Sequence, residues 1–127
     1  MSAEAKRVRE LARRLIRAPA WPFPPAGRAL ECPAEQGVYL IRDSSGRVAH
    51  VGRTTRARRG LLDRIRGHLR GRSSFVVDYL DARPAELRRG FTYAWIVVPD
   101  DRLRALVEAL ATGRLCPLHI GTGAANG

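Results

Sequence analysis

The sequence has little of what supports a secreted or membrane-embedded protein. Its two cysteines, Cys32 and Cys116, are too few for a disulfide framework. Neither stands at a zinc-ligand spacing from another cysteine or histidine, so both read as free thiols. The longest apolar run, Phe91 to Val98, falls far short of the roughly 20 residues that a membrane-spanning helix needs. The stretch from Met1 to Arg17 is charged throughout and has neither a signal-peptide core nor a small-residue cleavage site; a cytoplasmic location is the expectation. No internal repeat and no dividing linker is visible, and 127 residues suffice for one core.

Acid is scarce as well. Twelve acidic residues face 23 basic ones, a net charge of +11 that attracts polyanions and makes nucleic acid the expected partner. Nearly all the basic residues are arginine, which biased composition alone would produce, but their distribution argues for more. Between Arg53 and Arg72 eight arginines (Arg53, Arg56, Arg58, Arg59, Arg64, Arg66, Arg70, Arg72) stand against the single acid Asp63. Charge concentrated in one segment makes a local phosphate-binding face.

Residues Ala3 to Arg17 place Val8, Leu11, Ala12, Leu15 and Ile16 at helical spacing and predict a basic amphipathic helix. The proline-rich stretch from Ala18 to Pro25 predicts an extended arm, pinned to the core by Trp21 and Phe23. Gly37 to Arg42 and Arg47 to Gly52 read as strands of a hairpin around the turn residues Asp43-Ser44-Ser45-Gly46. Leu61, Leu62, Ile65 and Leu69 predict a helix that carries Arg64 and His68 and stops at Gly71. Phe75 to Leu80 is helix or strand, and Pro84 to Arg89 a short helix. Phe91 to Val98 predicts a strand. Asp100 or Asp101 then caps a helix with the apolar face Leu103, Leu106, Val107 and Leu110, ending near Gly113. The expected organisation is a helix and arm over 1–36, a domain over 37–120 and a mobile tail over 121–127. The residue pattern by itself gives hairpin, helix, strand and helix in that order.

Taken singly, Tyr39, His50, Arg64, His68 and Glu108 have ordinary structural explanations, Glu108 for instance as an i,i+4 partner of Arg104. Their order carries more. Gly37-Val38-Tyr39, ten residues, then His50-Val51-Gly52, then Arg53-Thr54-Thr55, a helix in which Arg64 precedes His68 by four positions, and Glu108 on a later helix follow one another along the chain. This series resembles the GIY-YIG nuclease superfamily, named for two tripeptides on neighbouring strands, over Gly37 to about His119. Valine replaces isoleucine at Val38, histidine stands at His50 where the second tyrosine is usual, and His119 stands where asparagine is usual.

The resemblance implies an α+β fold, with a small, mainly antiparallel three-stranded sheet flanked by helices, DNA as the partner, and hydrolysis of a DNA phosphodiester. Tyr39 would orient or deprotonate the attacking water, although a phenol with an ordinary pKa of about 10 needs neighbouring cations to lower it. Arg64 would grip the phosphate and His68 relay a proton to or from Tyr39. His50 would act in its neutral form in place of the motif tyrosine. Glu108, offering one hard carboxylate oxygen, would hold one Mg2+ or Mn2+ ion. Arg53, Arg56, Arg58, Arg59, Arg66, Arg70, Arg72 and His119 would contact DNA. Two rival readings stand: a binding module of the same fold without chemistry, and a regulatory protein that engages another protein through the basic amino-terminal helix.

Overall fold

A computed structural model describes residues 1–55 and 58–121. Helix α1 (Ala3–Arg17) begins where Ser2 Oγ accepts from Ala5 N–H at 3.0 Å, an N-cap that satisfies one of the amides left unpaired at a helix start. Its stripe Val8, Leu11, Ala12 and Leu15 is buried. Strand β1 (Trp21–Pro22) follows, then the hairpin of β2 (Gly37–Arg42) and β3 (Val48–Arg53), helix α2 (Gly60–Leu69), strand β4 (Thr92–Val97) and helix α3 (Asp101–Leu115). The sheet is antiparallel throughout, in the order β1-β4-β2-β3. Among the described residues no helix is long and apolar enough to cross a membrane.

The α+β class holds, but the sheet has four strands instead of three. The fourth comes from the proline-rich arm: Trp21 pairs with Tyr93 and Pro22 with Thr92. Thr92 turns its own backbone groups toward β2, so Pro22 sits at an edge position where its missing N–H leaves no ladder bond unmade. Phe23, 4% exposed, anchors the arm in the core, whereas Trp21 is exposed and stacks on Trp95.

Two layers of side chains sandwich the sheet. On one face α1 and α3 bury Val8, Leu11, Leu15, Val107 and Ala111 against Val38, Leu40, Val51, Ala94 and Ile96. On the other, Leu61 and Ile65 of α2 join Phe75, Val76, Leu80 and Leu87 over Tyr39, Ile41, Ala49 and Tyr93. Each fully buried large aliphatic or aromatic side chain contributes about 1.5–3 kcal/mol. The segment left open between helix and strand is a π-helical turn, Phe75–Tyr79, and Pro84–Arg88 is a 3-10 turn.

Helix α3 is capped by Asp100, whose Oδ2 accepts from Leu103 N–H at 2.8 Å. It runs through Gly113 to Leu115, and Cys116 takes the left-handed cap conformation with φ +45°. Gly113 therefore does not end the helix as expected. Arg104 is not the partner of Glu108 either: it is buried and donates to the carbonyls of Thr54 (2.7 Å), Val98 (3.0 Å) and Pro99 (3.0 Å), and pairs with Asp101. It ties the start of α3 to the ends of β3 and β4. The thiols are free, as expected. Of the expected tail, residues 122–127 lie outside the described residues, as does Arg56 of the expected DNA contacts.

Candidate active site

The hairpin sets the site. β2 and β3 are in register at Tyr39 and Gly52. A Cβ on Gly52 would overlap the phenol oxygen and ring of Tyr39, so glycine at this position is what lets the tyrosine lie flat across its neighbouring strand. At Ile41 and Arg42 the register skips one residue, a bulge that leaves Ala49 unopposed. The regular pairing that precedes it, Tyr39 with Gly52 and Ile41 with His50, puts His50 on the Tyr39 face of the sheet, ring centroids 6.0 Å apart. Gly60 starts α2 with φ +52° against the Glu35 carbonyl, where any side chain would collide; the helix is thus fixed close to the loop that leads into β2.

From α2, Arg64 and His68 lie one turn apart and both reach the Tyr39 hydroxyl, His68 Nε2 at 2.7 Å and Arg64 Nε at 3.4 Å. Tyr39 is fully buried. Arg64 can only donate, and His68 Nε2 is the one acceptor within hydrogen-bond reach of this buried hydroxyl among the described residues, so the phenol oxygen accepts from Arg64 and its own proton goes to His68 Nε2. His68 is then the Nδ1–H tautomer, and its Nδ1 donates to Ser73 Oγ at 2.7 Å. Ser73 Oγ also accepts from Val76 N–H at 3.2 Å, which caps the turn that carries Phe75. The chain of bonds runs Arg64, Tyr39, His68, Ser73.

Beside it lie the other two histidines. His50 stacks on Phe75 with centroids 4.9 Å apart and planes at 21°, and its Nδ1 is 3.3 Å from His119 Nδ1. His119 is brought there because Leu118 and His119 run along β3, their amides donating to the carbonyls of Val48 (3.2 Å) and Ala49 (2.9 Å). Its Nε2 is 3.9 Å from Asp78. His50 Nε2 is buried and has no hydrogen-bond partner among the described residues. An orphaned buried nitrogen costs on the order of 1–3 kcal/mol, which marks it as a position held for something other than stability.

Burial dominates the ionisation of the cluster. It pushes His50 down to about 3, with His119 and Arg64 adding to the effect. His68 is held well below the usual imidazole range by burial first, then by His50 and Arg64. His119 is lowered by burial and partly restored by Asp78. All three are neutral at neutral pH. Tyr39 goes the other way from the expectation: burial raises its pKa, Arg64 only partly offsets this, and the charge of Glu108 raises it further. The cations around the phenol do not overcome its loss of water.

Glu108 projects from α3 and pairs through Oε1 with Arg53 at the end of β3; the two side chains are 18% and 30% exposed. Its Oε2 has no partner among the described residues. A half-buried carboxylate with one oxygen open is a donor that fits a largely hydrated Mg2+ or Mn2+ ion, although among the described residues no three His, Cys, Asp or Glu side chains stand close enough to cage a metal. Thr54, next to Arg53, locks the strand ends: its Oγ1 accepts from Gly37 N–H at 3.0 Å and its N–H donates to Gly37 O at 3.0 Å.

The basic residues expected to hold DNA divide. Arg64 and Arg72 line a recess of about 230 Å3 with Asp63, Gly67 and Ser73, and two of these residues bond to the pair behind it, Arg64 to Tyr39 and Ser73 to His68. Arg58 and Arg59 are exposed before α2, where Arg59 N–H donates to Asp63 at 2.9 Å. Arg66 and Arg70 fall on another face of α2 from Arg64 and His68, since residues two apart point in nearly opposite directions around a helix. Sequence reasoning missed Ser73 and Phe75. The signal was present, because serine before an apolar run is a helix-start pattern.

A scan of protein-family models and a search of curated proteins both return no match for this chain.

Proposed function

We propose that this chain is a cytoplasmic, GIY-YIG-like endonuclease that hydrolyses DNA phosphodiester bonds with the help of one divalent metal ion. The observation that carries the reading is the Tyr39 hydroxyl held between Arg64 Nε and His68 Nε2, beside a recess lined by a second arginine. Two side chains of α2 converge on one oxygen atom from β2, and the following turn holds one of them through Ser73, an arrangement suited to acid–base work on a phosphate ester.

In this reading a phosphate enters at Arg64 and Arg72, whose guanidinium groups neutralise its charge and donate to its oxygens. Tyr39 orients the attacking water and takes its proton as its own passes to His68 Nε2. Ser73 keeps His68 in the tautomer that can receive that proton. Neutral His50 offers Nε2 as a further hydrogen-bonding position. Glu108 would hold the metal ion, which when bound supplies charge stabilisation to the phosphate. Arg53 holds Glu108 until then.

One observation favours a second reading, a DNA-binding module without chemistry: Tyr39 is fully buried and its pKa is raised, so the free protein does not present a ready base. Incubation of plasmid and branched DNA with wild type, Tyr39→Phe and Glu108→Ala, with and without Mg2+ or Mn2+, separates the two. Cleavage by wild type with metal, lost in both variants while anisotropy shows retained DNA binding, supports the nuclease. Binding with no cleavage by any of the three selects the binding module.

A further inference from the structure

At the opposite edge of the sheet from β3, β4 is only partly covered. Val98 N–H donates to Gln36 O at 2.9 Å, and with Val38 opposite Ile96 this fixes which residues of β4 bond to β2: the even-numbered ones. Tyr93, Trp95 and Val97 therefore turn their N–H and C=O groups outward. β1 is two residues long and satisfies Tyr93. Continued by two residues, the same register would set Pro19 against Trp95, and Pro19 has no N–H to give. The outward backbone groups of Trp95 and Val97 have no hydrogen-bond partner among the described residues.

These groups face a groove of about 540 Å3. One wall is the sheet edge, Trp95 to Val97; the other is the end of α1, with Arg13, Arg14 and Arg17, all exposed and none in an ion pair among the described residues. Glu10 is the single acid in the lining. Open edge strands accept extended chains through main-chain hydrogen bonds, and flanking charges choose among them.

We infer that the β4 edge at Trp95–Val97 takes an extended acidic peptide segment of a partner protein as an added strand, with its carboxylates on Arg13, Arg14 and Arg17. A second copy of this chain is disfavoured at this edge, because pairing β4 with β4 would bring the arginines of two chains with net charge +11 together. A nucleic-acid strand would satisfy the arginines but presents no ladder of alternating donors and acceptors at strand spacing. The open ladder is what selects a peptide. This surface is separate from the Tyr39 cluster, so the inference stands whether or not the chain cuts DNA.

The only two tryptophans of the chain, Trp21 and Trp95, both lie here and stack with centroids 5.9 Å apart, so intrinsic fluorescence reports on this edge alone. The probe is a short peptide of alternating glutamate and valine, added to the full chain and followed by tryptophan fluorescence and by amide hydrogen exchange. Three controls accompany it: the glutamine counterpart, the same acidic peptide N-methylated at every backbone nitrogen, and an oligothymidylate of equal charge. The acidic peptide should shift the fluorescence and slow exchange at the amides of Trp95 and Val97. The triple variant Arg13→Gln, Arg14→Gln, Arg17→Gln should bind it roughly tenfold more weakly, as three screened ion pairs imply, and the N-methylated peptide should fail to protect the two amides. Equal binding of the N-methylated peptide, no binding of the acidic one, or protection produced only by the oligothymidylate would overturn the inference. So would protection that appears without peptide and grows with protein concentration, which would mean a second copy.

Discussion

Acid should unfold this protein through His50, and the size of the effect can be worked out. The folded chain holds the imidazole at a pKa of about 3, because it is 4% exposed between Phe75, His68 and His119. In the unfolded chain the same group titrates near its ordinary value of about 6.5. Between those two values only the unfolded state takes up the proton, so the stabilisation is complete above about 6.5 and is lost as pH falls toward about 3. Each pH unit within that window costs about 1.4 kcal/mol, so a change from about pH 7 to about pH 5 removes roughly 2 kcal/mol through His50 alone. His68, lowered for the same reason, adds to the loss in the same direction. The variant His50→Phe isolates the effect: it keeps an aromatic ring on Phe75 and removes both the titration and the orphaned Nε2. Urea unfolding followed by circular dichroism at a series of pH values gives the two stability curves. Near pH 7 they should lie within about 1 kcal/mol of each other; near pH 5 the variant should be the more stable by about 2 kcal/mol. Curves that stay parallel across this range would refute the buried, neutral His50.

Three further outcomes follow from the geometry. Gly52→Ala sets a methyl group into the Tyr39 phenol and should cost about 1–3 kcal/mol in urea unfolding while breaking the Tyr39–His68 bond; a variant of wild-type stability would mean that the ring is not packed on this strand. Glu108→Ala should lower stability by only on the order of 1 kcal/mol, since its partner Arg53 is partly exposed, and should leave DNA affinity intact or slightly higher; a weakened complex would place Glu108 in DNA binding. Replacing Arg58 and Arg59 together with alanine should weaken DNA binding and reduce the slope of log affinity against log salt by up to about two, and an unchanged slope would exclude both from phosphate contact.

How much of this was legible in the sequence varied with the kind of interaction involved. The helices α1 and α2 and the hairpin follow from periodicity and turn residues, which act locally, and the structure reproduces them to within a residue or so. The four-residue spacing of Arg64 and His68 likewise fixed that both would reach the same point. What escaped was set by tertiary packing. No local pattern distinguishes a two-residue edge strand at Trp21–Pro22 from a plain extended arm, because its evidence is the pairing of Trp21 with Tyr93, 72 residues on. The end of α3 was misplaced because glycine is a permissive stop and not an obligatory one; here Leu115 still packs on the core and the left-handed cap passes to Cys116. Glu108 was given the neighbour on its own helix, but Arg104 is recruited by three carbonyls at strand ends, and Arg53 took its place. The sign of the Tyr39 shift was also out of reach, since it depends on how completely the phenol is buried.

That sign changes what the arginine-rich segment means. A chain with a net charge of +11 keeps all three of its histidines unprotonated, because two are buried, His119 is half-buried, and the buried two also feel Arg64. Burial also keeps the Tyr39 proton in place by opposing the phenolate, against the pull of Arg64, and the neutral His68 accepts only a hydrogen bond. In the free protein the cluster is therefore uncharged apart from Arg64. An anion arriving in the recess beside Arg64 and Arg72 alters one of these influences and not the other: it offsets the guanidinium charge that disfavours a proton on His68, while leaving the ring buried. The first charge that the cluster can accept is then a proton on His68, next to the one hydroxyl positioned to supply it. An uncharged resting state coupled to an arginine-lined recess thus makes proton movement conditional on the arrival of an anion.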